Sequence, residues 1–239
     1  MSQYRDKLKA LINKCGVDVT RVSNSPRLTL CGMLGRPVHT VIDVGANSGQ
    51  FSKYITGFYP DAAIYCFEPL PGPFSELQEW ATTRAGKVHL YNVAVGDKPG
   101  MVEINYHKDH SPSSSILKTT SLVETCYPQT RDQARLVVSV ETLDDALSTN
   151  IQSLRNQIMV KLDVQGYEDK VIRGAKQILS KTDLVVVEVS LDDFYVGQAD
   201  FTGIVNMLHE LDFKYAGNLS QSYASDGHVM FIDAVFKKF

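Results

Sequence analysis

The chain predicts an α/β fold, a mostly parallel sheet with helices on both faces, and three observations carry that prediction. From residue 40 onward, short apolar runs suited to burial on both faces alternate with segments of helical period. The first run, Val41-Ile42-Asp43-Val44, opens into Gly45-Ala46-Asn47-Ser48-Gly49, a glycine turn from strand to helix. The next strand ends in Phe67-Glu68-Pro69, which sets an acid at the neighbouring strand tip. Right-handed crossovers join such an alternation into one sheet.

The elements follow in order. Tyr4, Leu8, Leu11, Ile12 and Cys15 share a helix face closed by Gly16, and Ser25-Pro26 starts a short helix ending near Gly35. Residues 1–36 therefore form an N-terminal helical extension, a cover for the sheet or a dimer contact, ahead of a domain over 37–239. In that domain the first helix buries Phe51, Tyr54, Ile55 and Phe58, the second strand is Ala62 to Phe67, and the next helix turns Phe74, Leu77, Trp80 and Ala81 inward. A third strand spans Val88 to Val93, and residues 96–100 make a hairpin-like turn before the alternating Met101 to Tyr106. Residues 107–136 show no sustained period and are expected to be a lid or acceptor-binding loop. Order resumes at Leu136 to Val140, and Thr142 with Asp145 opens a capped helix. Ile158 to Leu162 is a strand ending at Asp163, followed by a helix carrying Tyr167, Val171, Ile172, Ala175, Ile178 and Leu179. Asp183 to Val189 is the fifth strand of the sheet, and Asp200 caps a helix with Phe201, Ile204, Val205, Leu208 and Leu211 inward. Phe213 to Tyr215 and Val229 to Phe236, joined across Ser225-Asp226-Gly227, close the chain as an antiparallel pair.

Composition narrows the function. At 239 residues the chain can bury a substantial core without staples. With 24 basic and 27 acidic residues, a net charge of -3, it offers no broad phosphate-neutralising surface, so nucleic acid is not an expected partner. The cysteines, Cys15, Cys31, Cys66 and Cys126, form no Cys-x-x-Cys pair and are expected as reduced thiols. The opening residues are polar with no apolar signal core, and no apolar run approaches the ~20 residues that span a bilayer, so a cytoplasmic location without membrane contact is expected.

Asn47 stands where a dinucleotide fingerprint would have its middle glycine, leaving Gly-x-x-x-Gly preceded by Asp43. A pyrophosphate site avoids such a carboxylate, whereas a cationic ligand is favoured by it. S-adenosylmethionine, with an ammonium and a sulfonium, fits that requirement. The glycines alone also fit a tight turn with no ligand; Glu68, placed to accept from ribose hydroxyls, tips the reading toward a nucleoside. Asn92, Asp163 and Glu188 end further strands at the same edge. Lys161 and Asp163, two apart on one strand, share a face, and the lysine serves either an ion pair stitching the sheet end or the site itself. His107 and His110 flank the irregular segment and are candidates to take a proton near neutral pH, or are solvated loop histidines; Ser113, Ser114 and Ser115 are candidates for hydrogen bonds to ligand. No Asp/Glu/His cluster of octahedral type is evident, so no metal is expected.

Taken together, Val41 to Gly49, Phe67-Glu68-Pro69, Asn92-Val93-Ala94-Val95-Gly96-Asp97, Thr142-Leu143-Asp144-Asp145, Lys161 to Glu168 and the closing Asp233-Ala234-Val235-Phe236 resemble the FkbM family of methyltransferases over roughly residues 40–236. The resemblance implies a Rossmann-like class I methyltransferase, a seven-stranded sheet in order 3-2-1-4-5-7-6 with the last strand antiparallel, and S-adenosylmethionine as methyl donor. By that likeness Asp43, Gly45, Asn47, Ser48 and Gly49 hold the methionine part, Glu68 with Pro69 the ribose, and Asn92 to Ala94 border the adenine. The expected reaction is O-methylation of a small-molecule or glycan acceptor, a sugar or secondary metabolite, with Asp163 or His107 removing the hydroxyl proton beside Lys161. An NAD-dependent oxidoreductase and a non-catalytic nucleoside-binding protein of the same fold are the rival readings.

Overall fold

A computed structural model describes residues 12, 15, 29–33, 35–84, 86–107, 111–131 and 133–239. The strands in chain order are β1 (Thr40–Val44), β2 (Ala63–Phe67), β3 (Val88–Tyr91), β4 (Ala94–Val95) and β5 (Gly100–His107), then β6 (Gln133–Glu141), β7 (Ile158–Leu162), β8 (Thr182–Ser190), β9 (Lys214–Tyr223) and β10 (Val229–Lys237). Helices α1 (Gln50–Thr56), α2 (Pro71–Thr82), α3 (Ser121–Cys126) and α4 (Leu143–Ala146) precede α5 (Glu168–Arg173), α6 (Lys176–Lys181) and α7 (Phe201–His209). Seven strands form the main sheet in order β3-β2-β1-β7-β8-β10-β9. With β4 to β6 set apart, that is the order 3-2-1-4-5-7-6, and β10 runs against both neighbours while the β1, β2, β3, β7 and β8 pairings are parallel.

Both faces of the sheet are covered, which is why the inner strands read as continuous apolar runs. Ile42, Val44, Val160, Leu162, Val185 and Val187 face one side, against Val171, Ile178, Leu179, Ile204 and Leu208 of the C-terminal helices. Val41, Ile64, Met159, Leu184, Val186 and Val235 face the other, against Ile55 and Leu77. Each such side chain, buried fully, contributes about 1.5–3 kcal/mol. Thr142 caps α4 by accepting from the Asp145 N–H at 3.0 Å, and Asp200 caps α7 by accepting from the Gly203 N–H at 2.7 Å.

The second sheet departs from the sequence expectation. Residues 96–100 do not join a hairpin: β4 and β5 lie on opposite sides of β6, in order β4-β6-β5, with Ala94 and Gly100 both opposite Val140. Nor is 107–136 without structure, because it holds 3-10 turns at Ser111–Ser113 and Pro128–Arg131, helix α3, and the start of β6 at Gln133. These pieces hide from a periodicity reading because α3 buries Val123 alone and the first half of β6 has one solvated face. β3 stops at Tyr91 rather than Val93, and β9 runs on through polar residues to Tyr223 as an edge strand. The expected N-terminal helices fall mostly outside the described residues; within them Leu30–Gly32 is a 3-10 turn. Among the described residues no helix is long and apolar enough to cross a membrane.

Candidate active site at the strand tips

The β1 turn is built against its neighbours. Gly45 has φ +77, and a Cβ there would stand 1.8 Å from the Asp163 carbonyl oxygen, so the turns after β1 and β7 touch only because this residue has no side chain. The N–H groups of Gly45 and Ala46 both donate to the Phe67 carbonyl at 3.0 Å, which ties the same turn to β2. Asn47, itself at φ 47, donates its N–H to Glu68 Oε2 at 2.8 Å, and Leu70 donates its N–H to Oε1 at 2.7 Å. Asn92 Nδ2 donates to the Glu68 carbonyl at 2.8 Å, so its role is to brace the β2 tip rather than to line the cleft. Glu68 is 4% exposed, and burial pushes its carboxyl up to about 7 although the two N–H donors pull the other way.

Asp43 sits beneath this turn. The residue is 0% exposed, and its Oδ2 accepts from Ser52 Oγ of α1 at 2.6 Å. Burial raises its pKa, opposed by the charge of Lys161 and by Ser52. The carboxylate thus lies under the turn, with Oδ2 held by α1. The Ser48 backbone completes the turn, its N–H donating to Asn47 Oδ1 at 2.8 Å and its carbonyl accepting from Lys53 Nζ at 2.6 Å.

A polar network occupies the tip of β7. Lys161 Nζ lies 2.5 Å from Asp163 Oδ2, and Gln165 Nε2 donates to Asp163 Oδ1 at 2.7 Å and to Glu188 Oε1 at 2.6 Å. Tyr195 OH donates to Gln165 Oε1, which fixes the orientation of the amide. Burial works against the Lys161 charge, but Asp163, Asp43 and Glu188 outweigh it and hold the pKa above the usual lysine value. Lys161 is thus a permanent ammonium, excluded as a proton acceptor. Glu168 Oε1 accepts from the N–H groups of Val164 and Gly166 at 2.9 and 3.2 Å, closing the turn, and burial lifts its carboxyl to about 7.

Residues 111–116 form a strap across the two turns. Asn47 Nδ2 donates to Ser111 Oγ at 3.1 Å, and Ser115 Oγ donates to the Gln165 carbonyl at 2.6 Å. Under the strap lies a cleft of about 480 Å³, lined by Glu68, Pro69, Leu70, Ala94, Ile104 and Asp163 among others. It shares Gly45, Ser114 and Asp163 with a second cleft, of about 680 Å³, lined by Asn47, Gln50, Phe51, Lys161 and Gln165. A third, also about 680 Å³, extends from Gln165 and Glu188 between Tyr127, Phe194, Tyr195 and Phe231.

Asp43 aside, the fold thus gathers Gly45, Asn47, Glu68, Pro69, Ala94, Lys161 and Asp163 around one connected space. Gly49, at φ 85, closes the turn where an added Cβ would meet Leu77 at 2.8 Å. His107 is not gathered: it is 0% exposed at the end of β5 and lines none of these clefts, because the strand runs one residue beyond the expected edge and includes it. His110 lies outside the described residues. Gln165, Ser111 and Tyr195 were not singled out in the sequence; only Gln165 carried a signal, repeating the two-residue spacing of Lys161 and Asp163. Among the described residues no group of three or more His, Cys, Asp or Glu could hold a metal ion.

Residues 43–215, more than half of the chain, match the family described as the Methyltransferase FkbM domain. The 2-O-methyltransferase NoeI of Sinorhizobium fredii is 27% identical over 185 residues, covering 75% of this chain and 74% of that protein. Methyltransferase 1 of Beauveria bassiana is 26% identical, covering 62% of this chain and 64% of its own. The 31-O-demethyl-FK506 methyltransferase FkbM of Streptomyces tacrolimicus is 26% identical, covering 59% and 61%, so the chain spans a little under two thirds of those latter two proteins. Because the matched span begins at Asp43 in β1 and runs through the Lys161 to Glu188 network into β9, the chain belongs to the FkbM family of methyltransferases.

Proposed function

We propose that the chain transfers a methyl group from S-adenosylmethionine to a hydroxyl oxygen of a sugar or other hydroxylated metabolite. The observation that carries this reading is Glu68: a nearly buried carboxylate, pinned by the N–H groups of Asn47 and Leu70, at the rim of an apolar cleft that continues past Gly45. The residues fit the donor in three places. Pro69, Leu70, Val93 and Ile104 offer an apolar slot for a purine ring, and the Glu68 oxygens keep lone pairs for two adjacent ribose hydroxyls. Toward Lys161 the carboxyl groups of Asp43, Asp163 and Glu188 gather around one ammonium, a setting rich in hydrogen-bond acceptors that suits a ligand ammonium and disfavours a pyrophosphate.

When bound, the donor supplies an electrophilic methyl group on positive sulfur. The chain's own part is alignment: holding two reactants in attack geometry is worth on the order of 7–11 kcal/mol. Asp163, its two oxygens accepting from Lys161 and Gln165, is held in place at the strand tip and positions the reacting end. The strap, through Ser111 and Ser115, covers the cleft and excludes water. Two relatives are named for methylation at oxygen, which supports a hydroxyl acceptor.

Calorimetry with S-adenosylmethionine, S-adenosylhomocysteine and NAD tests the donor, and labelled donor with an acceptor library tests the reaction. Micromolar binding of the first two, absent for NAD and lost in Glu68→Ala, is expected. Binding of NAD in their place overturns the reading.

A further inference from the structure

Glu188 stands where two open spaces meet. It lines the aromatic-walled cleft with Gln165 and Ser190, and it lines a cleft of about 860 Å³ with Gln50, Tyr54, Lys161 and Asp163. Its Oε1 accepts from Gln165 Nε2, the same nitrogen that donates to Asp163, so one amide holds the two carboxylates on either side of it. Of the groups that the sequence offered for proton removal, His107 is buried away from these clefts, His110 lies outside the described residues, and Asp163 is shared between Lys161 and Gln165.

We propose that the cleft between Tyr127, Phe194, Tyr195 and Phe231 is the acceptor subsite, that it takes a hydroxylated six-membered ring, and that Glu188 receives the proton of the hydroxyl to be methylated. The proposal rests on the methyl-transfer reading above. The aromatic residues give the cleft an apolar wall for the C–H edges of a saturated ring, while Glu188, Gln165 and Ser190 present polar groups for its hydroxyls. In the step, the acceptor O–H bond breaks and its proton passes to a Glu188 carboxylate oxygen. The oxygen's electron pair forms the O–CH3 bond, the S–CH3 bond breaks with its pair left on sulfur, and Glu188 later yields the proton to water. Gln165, acting through Asp163 and Glu188, is a positioning residue; its φ of 57 and the Tyr195 hydroxyl hold the amide in place.

The carboxylate must be ionised to act. Burial raises its pKa well above the ordinary value and Asp163 adds to the rise, with Asp233 and Glu168 contributing, while Lys161 opposes it; Tyr127 and Tyr195 are the other titratable groups that face it. Turnover should therefore climb with pH on an ascending limb that belongs to Glu188.

The test compares wild type, Glu188→Gln, Glu188→Asp, Asp163→Asn and Phe194→Ala. Each is followed by calorimetry with S-adenosylhomocysteine, by saturation-transfer NMR with a panel of methyl glycosides, and by pH profiles of methyl transfer to whichever glycoside binds. Glu188→Gln should bind both probes within about threefold of wild type yet lose roughly 10²–10⁴ in turnover, together with the ascending limb. Glu188→Asp should restore part of the rate with a displaced limb, and Phe194→Ala should lose at least about tenfold in glycoside binding alone. The proposal is overturned if Glu188→Gln keeps its rate and limb, if Asp163→Asn abolishes the limb, or if wild type binds S-adenosylhomocysteine but no glycoside. Failure of wild type to bind S-adenosylhomocysteine overturns the donor reading instead.

Discussion

The N–H of Asn47 donates to Glu68 Oε2 at 2.8 Å, so the turn after β1 and the acid at the tip of β2 form one rigid unit. A ligand that engages the carboxylate is thereby set in register with the glycine turn. The same bond leaves the carboxylate nearly dry, and burial holds its pKa at about 7.

Donor binding should consequently depend on pH. If the ionised Glu68 is the form that accepts ribose hydroxyls, about a tenth of it is available at pH 6 and most of it at pH 8, so the affinity for S-adenosylhomocysteine should improve about tenfold across that interval. Glu68→Gln keeps one of the two acceptor oxygens, and it should bind about 10–100-fold more weakly with no pH slope. Calorimetry at pH 6, 7 and 8 on both proteins is the measurement. A steep slope surviving in Glu68→Gln would assign the titration to another group.

Folding stability should fall as pH rises from about 5 to about 8. Burial raises the carboxyls of Glu68 and Glu168 from 4.5 to about 7, so between those values the folded chain holds protons that the unfolded chain has released. Stability contributed by a raised pKa is complete below the unfolded value and is lost on the way up, a change on the order of 3 kcal/mol per group. His228, held between Asp192 and Asp226, is raised as well and adds a loss of the same sign above pH 6.5. Glu168→Gln retains an amide oxygen to accept from Val164 and Gly166 and removes the charge. Urea unfolding should therefore show a flatter pH dependence for this variant than for wild type, and equal slopes would refute the assignment to Glu168.

Much of this site is legible in the sequence because strand tips are local. The run Val41 to Gly49 encodes a buried strand and a left-handed turn in adjacent residues, and Glu68 and Asp163 follow short strands that are apolar but for Lys161. What escapes is non-local. Tyr195 reaches Gln165 from the loop after β8, and Ser111 and Ser115 reach two different turns from a segment without period. The Ser52 contact of Asp43 escapes for a related reason: a strand's alternation decides which face a side chain takes, and the motif alone does not name its partner on α1. The β4-β6-β5 sheet is missed because β4 has two residues and pairs with a strand about 45 positions away, whereas the turn at 96–100 has the composition of a local hairpin.

Glycine substitutions separate contact from backbone strain. At Gly45 a methyl group would meet the Asp163 carbonyl at 1.8 Å, backbone against backbone, at φ +77. At Gly35, φ +82, nothing lies within 4 Å. Gly35→Ala should cost only the left-handed strain, about 1–2 kcal/mol. Gly45→Ala carries that strain and must also push the β1 and β7 turns apart, and it should lose S-adenosylhomocysteine binding by about a hundredfold or more. Denaturation midpoints and calorimetry on the pair decide it; equal effects would show that the two turns yield easily.

Lys161 is the cation on which the buried acids depend, 6% exposed, with Nζ 2.5 Å from Asp163 and its charge acting on Asp43 and Glu188. Lys161→Met keeps most of the side chain's length and its packing near the Phe51 ring, 5.6 Å from Nζ to the ring centroid, but strands the carboxylates. Removing one partner of a buried pair costs about 3–5 kcal/mol, because the remaining charge stays desolvated. Adding Asp43→Asn should return part of that loss, since the amide oxygen introduced there can still accept from Ser52 while one unbalanced charge disappears. A double-mutant cycle by urea unfolding at pH 7 reads the coupling, expected at about 1 kcal/mol or more given the shared charge. Strict additivity would mean that Lys161 serves Asp163 alone, and that Asp43 is held neutral by burial without its help.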